Sequence, residues 1–169
     1  MIHNSHFELR PVGEAELSAI LAVYQQCEDF LALGPQPKAS AEMVLQDIAH
    51  SHESGGCFCG LYDGQGLMLG IVDFIPQGFE GDPHLAFINL LMIAAPFRRQ
   101  GLGAVVVQQI EAQILENPEI RAIGAGVQVN NPLALRFWQR NGYRIISGPE
   151  AQADDTTAYC LQKDRAGSS

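Results

Sequence analysis

Residues 84–116 constrain this chain more than any other segment. A mostly apolar run, HLAFINLLMI at 84–93, leads through AAPFRRQ into GLGAVVVQQIEAQILE at 101–116. The first run has the length of a buried strand. In the last run Val105, Val106, Gln109, Ile110 and Ile114 follow the helical period loosely, apolar on a broad face. The pattern predicts a strand ending near Ile93, a sharp turn, and a helix from Gly101. At a helix N-terminus several backbone N–H groups lack partners and the macrodipole is positive. Gly101 and Gly103 remove the Cβ atoms that would block close approach. Arg98 and Arg99 add charge that does not titrate away. These are the requirements of a diphosphate cradle. The plainer reading of a lone G-x-G is a tight turn with close helix packing. G-x-x-x-x-G-K-[ST] is absent, and no G-x-G-x-x-G follows the first strand, so neither a P-loop nor a dinucleotide fold is indicated.

The remaining elements read as follows. FELRP at 7–11 is a short strand ended by proline. Residues 14–27 place Leu17, Ile20, Leu21 and Tyr24 at helical spacing, and 40–50 open with a Ser40 N-cap before a second helical stripe. EDFLALGPQP at 28–37 reads as a loop stopped by glycine and prolines. CFCGLYD and LMLGIVDFI are two strands joined by a DGQG hairpin turn. QGFEGDP at 77–83 is a surface loop. AIGAGVQV at 122–129 is a strand, 132–141 a helix with proline in its first turn, and YRIISG and TTAYCLQ are two closing strands. KDRAGSS at 163–169 reads as a fraying tail. The order β-α-α-β-β-β-α-β-α-β-β predicts a mixed α/β sheet in a single domain over 1–169.

Composition narrows the function. The chain has 169 residues, 47% apolar and 17% charged, which is globular rather than disordered. Net charge is −9 with ten Lys and Arg in all, so a nucleic-acid-binding face is not expected. Five of the arginines fall at 98, 99, 136, 140 and 144, which suits one small anionic ligand. No apolar run is long enough for a membrane span, and the N-terminus lacks the regions of a signal peptide. Cys27, Cys57, Cys59 and Cys160 show no zinc spacing, and the CFC thiols read as a reduced core pair. A cytoplasmic protein without metal is expected.

RRQGLG at 98–103 matches [RQ]-x-x-G-x-[GA], and NPLALRFWQRNGYR at 131–144 resembles N-x-x-A-x-x-[LF]-[YFW]-x-x-x-G-[FY]. The two blocks stand one helix and one strand apart. On both, and on the element order, the chain resembles the GNAT N-acetyltransferases over about residues 7–162. The resemblance implies the GNAT acyl-CoA N-acyltransferase fold, a central mixed, mostly antiparallel sheet with flanking helices. It also implies acetyl-CoA as co-substrate. Gln100, Gly101, Leu102, Gly103 and Ala104 would bind the diphosphate with Arg98 and Arg99. The backbone of Leu91, Met92 and Ile93 would pair with the pantetheine arm as an added strand. N–H groups near Met92 and Ile93 would polarise the thioester carbonyl. Asn131 would bond the arm, and Ala134, Phe137 and Trp138 would line its path. Asn131 reads equally as a cap for the helix at Pro132, and Phe137 and Trp138 as core.

Two positions depart from the family pattern. Trp138 stands where many members carry a tyrosine that protonates the leaving thiolate, and an indole N–H is too weak an acid for that. Tyr143 reads as core. The fourth strand carries no glutamate to serve as base; its polar side chains are His84 and Asn89. Asp73, within the third strand, is the candidate base, since burial raises a carboxylate pKa. The alternative is a strand end turning to solvent. Glu80 and Asp82 are further carboxylates in the preceding loop. Glu28, Asp29, Phe30 and Leu31 would meet the acceptor, suiting a small amine with an apolar body. The expectation is direct acetyl transfer to a primary amine in a ternary complex, by a monomer or homodimer. The other reading is a non-catalytic acyl-CoA-binding module on the same fold.

Overall fold

The computed structural model describes residues 7–167. The strands are β1 (Glu8–Pro11), β2 (Cys57–Tyr62), β3 (Met68–Ile75), β4 (Leu85–Ile93), β5 (Ala122–Gln128), β6 (Arg144–Ala151) and β7 (Thr157–Asp164). The helices are α1 (Leu17–Gln25), α2 (Glu28–Leu31), α3 (Ala41–Glu53), α4 (Leu102–Ile114) and α5 (Pro132–Arg140). The strands form one seven-stranded sheet in the order β1-β2-β3-β4-β5-β7-β6. Every neighbouring pair is antiparallel except β4 and β5.

The inner strands β2 and β3 are buried on both faces of the sheet, each face with its own apolar cluster, while the edge strand β6 is exposed along its length. Val106, Ile110 and Ile114 of α4 pack with Ile123, Leu161, Trp138 and Tyr143 on one side. Ile20, Val23 and Tyr24 of α1 pack with Val44 of α3, Ile71 and Met92 on the other. This is why β3 reads as an unbroken apolar run with one carboxylate, and all eight of its residues are buried.

In β4 the alternation changes phase. Ala86 and Ile88 belong to the α4 side, but Leu90 and Met92 belong to the α1–α3 side. Strict alternation would keep all four on one face. The register with β3 slips here: Asp73 pairs with Leu90 and Phe74 with Ile88, leaving Asn89 as the extra residue of a β-bulge.

Two sequence expectations are corrected. Residues 28–31 form a one-turn helix rather than loop. Residues 163–165 do not fray: Lys163 and Asp164 extend β7, and Arg165 donates to the carbonyls of Leu115, Asn117 and Ile120. Those carbonyls lie at and beyond the C-terminal end of α4, where helices leave acceptors unpaired. Residues 168 and 169 of the expected tail lie outside the described residues.

Candidate active site

β4 and β5 pair only from Leu85–Ala122 to Ile88–Ala125. Beyond that point both strands continue, β4 to Ile93 and β5 to Gln128, without bonding each other. The strands therefore splay, and a cleft of about 1080 Å³ opens between them. It runs from Asn89 and Gly126 at the vertex to the N-termini of α4 and α5.

The inner wall of the cleft is β4 backbone. The amide of Ala94 donates to the Leu69 carbonyl of β3 at 2.9 Å. In an antiparallel pair the residues facing a neighbour alternate, so Met92, opposite Ile71, also turns its N–H and C=O toward β3. Leu91 and Ile93 turn theirs toward the cleft. Met92, one of the two residues near which the resemblance placed a polarising N–H, lines the cleft but turns its amide toward β3. The Ile93 carbonyl is already engaged, by Arg98 Nε at 2.8 Å and the Cys27 thiol at 3.4 Å.

The outer end is the N-terminus of α4. Gly101 takes φ +78° as the residue before the helix, and its side-chain-free position offers no cap. Arg99 also has positive φ, 63°. The first intrahelical bond runs from the Val105 amide to the Gly101 carbonyl. The amides of Leu102, Gly103 and Ala104 precede it and point out of the helix end, and no acidic residue stands in the first turn. Gly103 has a packing reason as well: a Cβ there would lie 3.0 Å from the Phe137 ring. The packing reading of the G-x-G is met at Gly103, and the amides of the same turn stay open.

The arginines divide. Arg98 pairs with Asp29 through both terminal nitrogens and bonds the Ile93 carbonyl, tying α2 to the end of β4. Its hydrogen bonds hold the Asp29 carboxyl below its usual range. Arg99 and Arg140 also line the cleft, and among the described residues neither enters an ion pair. Arg140, on the last turn of α5, belongs to the arginine cluster that the sequence reading tied to a small anionic ligand, but not to the residues the family motifs pointed to.

The α5 side of the cleft carries Asn131, Ala134, Phe137 and Trp138. Asn131 caps α5, accepting from the Ala134 amide at 3.1 Å. Trp138 is buried, edge-on to both Phe137 and Tyr143. Tyr143 lies outside the cleft; its hydroxyl donates to Glu111, and burial pushes its pKa up. Gln100, unlike its neighbours, does not line the cleft.

At the vertex and on the α1–α3 face, Asp29 and Phe30 line the cleft, but Glu28 and Leu31 do not. Glu28 instead accepts from the Ala39 amide at 2.9 Å. Asp73 is 3% exposed and set behind the cleft wall, so it is no strand end turning to solvent. It accepts from Ser51 Oγ at 2.6 Å and Asn89 Nδ2 at 3.1 Å. Burial raises its pKa, against the opposing pull of those two bonds. Leu33, Gln128 and Asn130 also line the cleft, and Asn130 ties the loop after α2 by donating to the Leu33 carbonyl. Nothing in the residue pattern pointed to these three. No group of three metal-binding side chains occurs among the described residues, and no described helix is long and apolar enough to cross a membrane.

Comparison with known proteins agrees with this architecture. The structure resembles an acetyltransferase from Thermus thermophilus, with TM-score 0.82 at 21% identity, covering 97% of this chain and 100% of that one. It also resembles the spermidine N-acetyltransferase of Vibrio cholerae, solved with CoA and spermine, with TM-score 0.71 at 15% identity over 95% and 96% of the two chains. At such identities the likeness speaks for the fold. A stretch of 73 residues is 26% identical to N-alpha-acetyltransferase 60 of Xenopus tropicalis, covering 42% of this chain and 30% of that protein. This chain thus spans less than a third of that relative's length. Residues 19–143 match the acetyltransferase (GNAT) family, which is most of the chain and contains the splayed strands, the α4 turn and α5. The chain belongs to the GNAT acetyltransferase family.

Proposed function

We propose that the protein transfers an acetyl group from acetyl-CoA to a primary amine, with both substrates bound in the cleft between β4 and β5. The observation that carries this reading is the cleft itself. One end offers unpartnered amides of Leu102, Gly103 and Ala104 beside Arg99 and Arg140, which suits a diphosphate. The wall between offers the amides of Leu91 and Ile93, which suit an extended amide-bearing arm and then the thioester carbonyl. Asn131, Ala134, Phe137 and Trp138 cover that arm from α5. Among the described residues the titratable side chains lining the cleft are Asp29, Arg98, Arg99 and Arg140. Asp29 is paired, and arginine does not give up its proton. Proton transfer from the amine therefore goes to water. The amine nitrogen bonds the carbonyl carbon, the carbon–sulfur bond breaks, and the thiolate takes a proton from water or from the ammonium intermediate. Trp138 shapes the pocket in this scheme and Asp73 does not touch the reacting atoms. Arg98 holds α2 in place and leaves the diphosphate to Arg99 and Arg140.

The test has two stages. Calorimetric titration with acetyl-CoA and CoA, with ATP and NAD as controls, should show binding of the first two alone. Thiol release with propylamine, cadaverine and alanyl-alanine amide should then show steady turnover with at least one. Lack of CoA binding would remove the reading. Binding without amine-dependent thiol release would favour a non-catalytic acyl-CoA module, a reading that the same lack of a lining base supports.

A further inference from the structure

Asn89 is the one residue of β4 left over by the bulge, and it is exposed although its strand lies in the middle of the sheet. Its exposure comes from the cleft, which it lines where β4 and β5 part. An asparagine amide has a donor end and an acceptor end, and its environment decides which end faces a ligand. Here the environment is a buried carboxylate. Asp73 Oδ2 accepts from Asn89 Nδ2 at 3.1 Å, while Asp73 Oδ1 is held by Ser51 Oγ at 2.6 Å. An ionised carboxylate only accepts, so it selects the NH2 end of Asn89 and leaves the amide oxygen for the cleft.

The surroundings keep Asp73 in this pose. Gly56 sits against it so closely that a Cβ there would lie 2.6 Å from Ser51 Oγ and 3.1 Å from Asp73 Oδ1. The Gly56 amide in turn donates to the Ser51 carbonyl at 2.7 Å. Across the cleft, the other strand offers a second oxygen of the same kind. Gln128 Oε1, at the end of β5, is a buried acceptor with no hydrogen-bond partner, and because Gln128 lines the same cleft a rotation of its side chain would bring that oxygen to a ligand N–H. A buried carbonyl oxygen left without a donor is costly unless a ligand supplies one.

We propose that Asp73 is a positioning residue that fixes the Asn89 amide with its oxygen toward the cleft, and that this oxygen and Gln128 Oε1 receive the N–H groups of the acceptor amine. The ligand class is an amine with at least two N–H donors. Asn89 is the specificity-determining contact, and the Asp73 charge one bond behind it favours a cationic acceptor over a neutral one. This rests on the acetyltransferase reading and assigns the acceptor side of the same cleft.

The informative variant is Asp73→Asn. It keeps the shape and the Ser51 bond. Either orientation of the new amide removes the charge behind Asn89, and the one that keeps its oxygen on the Ser51 hydroxyl also places an NH2 group opposite Asn89, which turns the Asn89 oxygen inward and its NH2 toward the cleft. Gly56→Ala displaces Ser51 and loosens the same pose from a second direction. Side-chain amide resonances of Asn89 and Gln128 are followed by NMR in CoA-saturated protein, titrated with propylamine, cadaverine and alanyl-alanine amide. Shifts at both amides in the wild type are expected, with at least a tenfold weaker midpoint in Asp73→Asn. For an amine that turns over, KM should rise by the same factor while CoA affinity stays within twofold. Failure of all three amines to move either resonance, or an unchanged midpoint in Asp73→Asn, overturns the proposal. CoA binding is read in the same samples from the α4 backbone amides. Its loss would instead count against the acetyltransferase reading.

Discussion

At the scale of single residues, the titrating groups separate into two kinds with opposite consequences for stability. Asp29, held low by the Arg98 hydrogen bonds, stabilises the fold above its unfolded pKa of about 4, and this is lost as pH falls through its lower folded value. Asp29 is largely solvent-exposed, so the effect is at most about 1 kcal/mol. Asp73 is the reverse. Its folded pKa is raised by burial, so its ionisation costs stability as pH rises from about 4 through the folded value. Asp73→Asn should therefore leave the melting temperature at pH 7 equal to or above that of the wild type. It should also flatten the decline in stability with rising pH. Thermal melts from pH 4 to 8 check both, and a large loss at pH 7 would show that the carboxylate is structurally required. The cysteines fit the same logic: burial pushes the Cys59 thiol to about 11, so CFC is a core pair with little thiolate at neutral pH.

The elements show what a sequence can and cannot reveal. β3 and β4 were legible because buried strands are apolar runs, and α4 because Gly101 breaks the pattern where the helix starts. The bulge at Asn89 was not legible, since one extra residue changes which face each side chain takes without changing composition. The one-turn helix α2 was hidden by the GPQP that follows it, and its stability comes from tertiary bonds: Arg98 to Asp29, and the Ala39 amide to Glu28. Arg98→Ala should free α2 and cost about 1 kcal/mol of stability. Faster hydrogen exchange at 28–33 with little change in β5 and β7 is the expected signature. The open helix end at α4 was legible from its two glycines, but the role of Arg98 was not. Two adjacent arginines look alike in sequence, and only the fold shows that one is spent on Asp29.

For the whole molecule, a cleft whose one carboxylate among the described residues is the ion-paired Asp29 belongs to an acidic protein. If water takes the proton, the rise of kcat/KM with pH should follow the acceptor's own ionisation. With two primary amines whose pKa values differ by about two units, the midpoints should differ by about as much. A midpoint that stays fixed between them would point to a titrating group of the protein, and so against this scheme. The acidic balance, net charge −9, adds that raising salt should weaken cationic acceptors more than neutral ones. Initial rates with cadaverine, a dication at neutral pH, and with aniline, uncharged there, across ionic strength measure that difference.

If the N-terminus of α4 holds the coenzyme A diphosphate, a negative charge placed in its first turn by Ala104→Glu abolishes that binding. Ala104 is in the first turn of α4 and lines the cleft. A glutamate there suits the helix dipole, so the free protein should melt at the same temperature or slightly higher, by up to about 1 kcal/mol in stability. The same charge repels a diphosphate. Calorimetric titration with acetyl-CoA should show affinity falling at least a hundredfold in Ala104→Glu while the free protein remains folded. Unchanged affinity in a folded variant would contradict the account and move the cofactor away from this helix end.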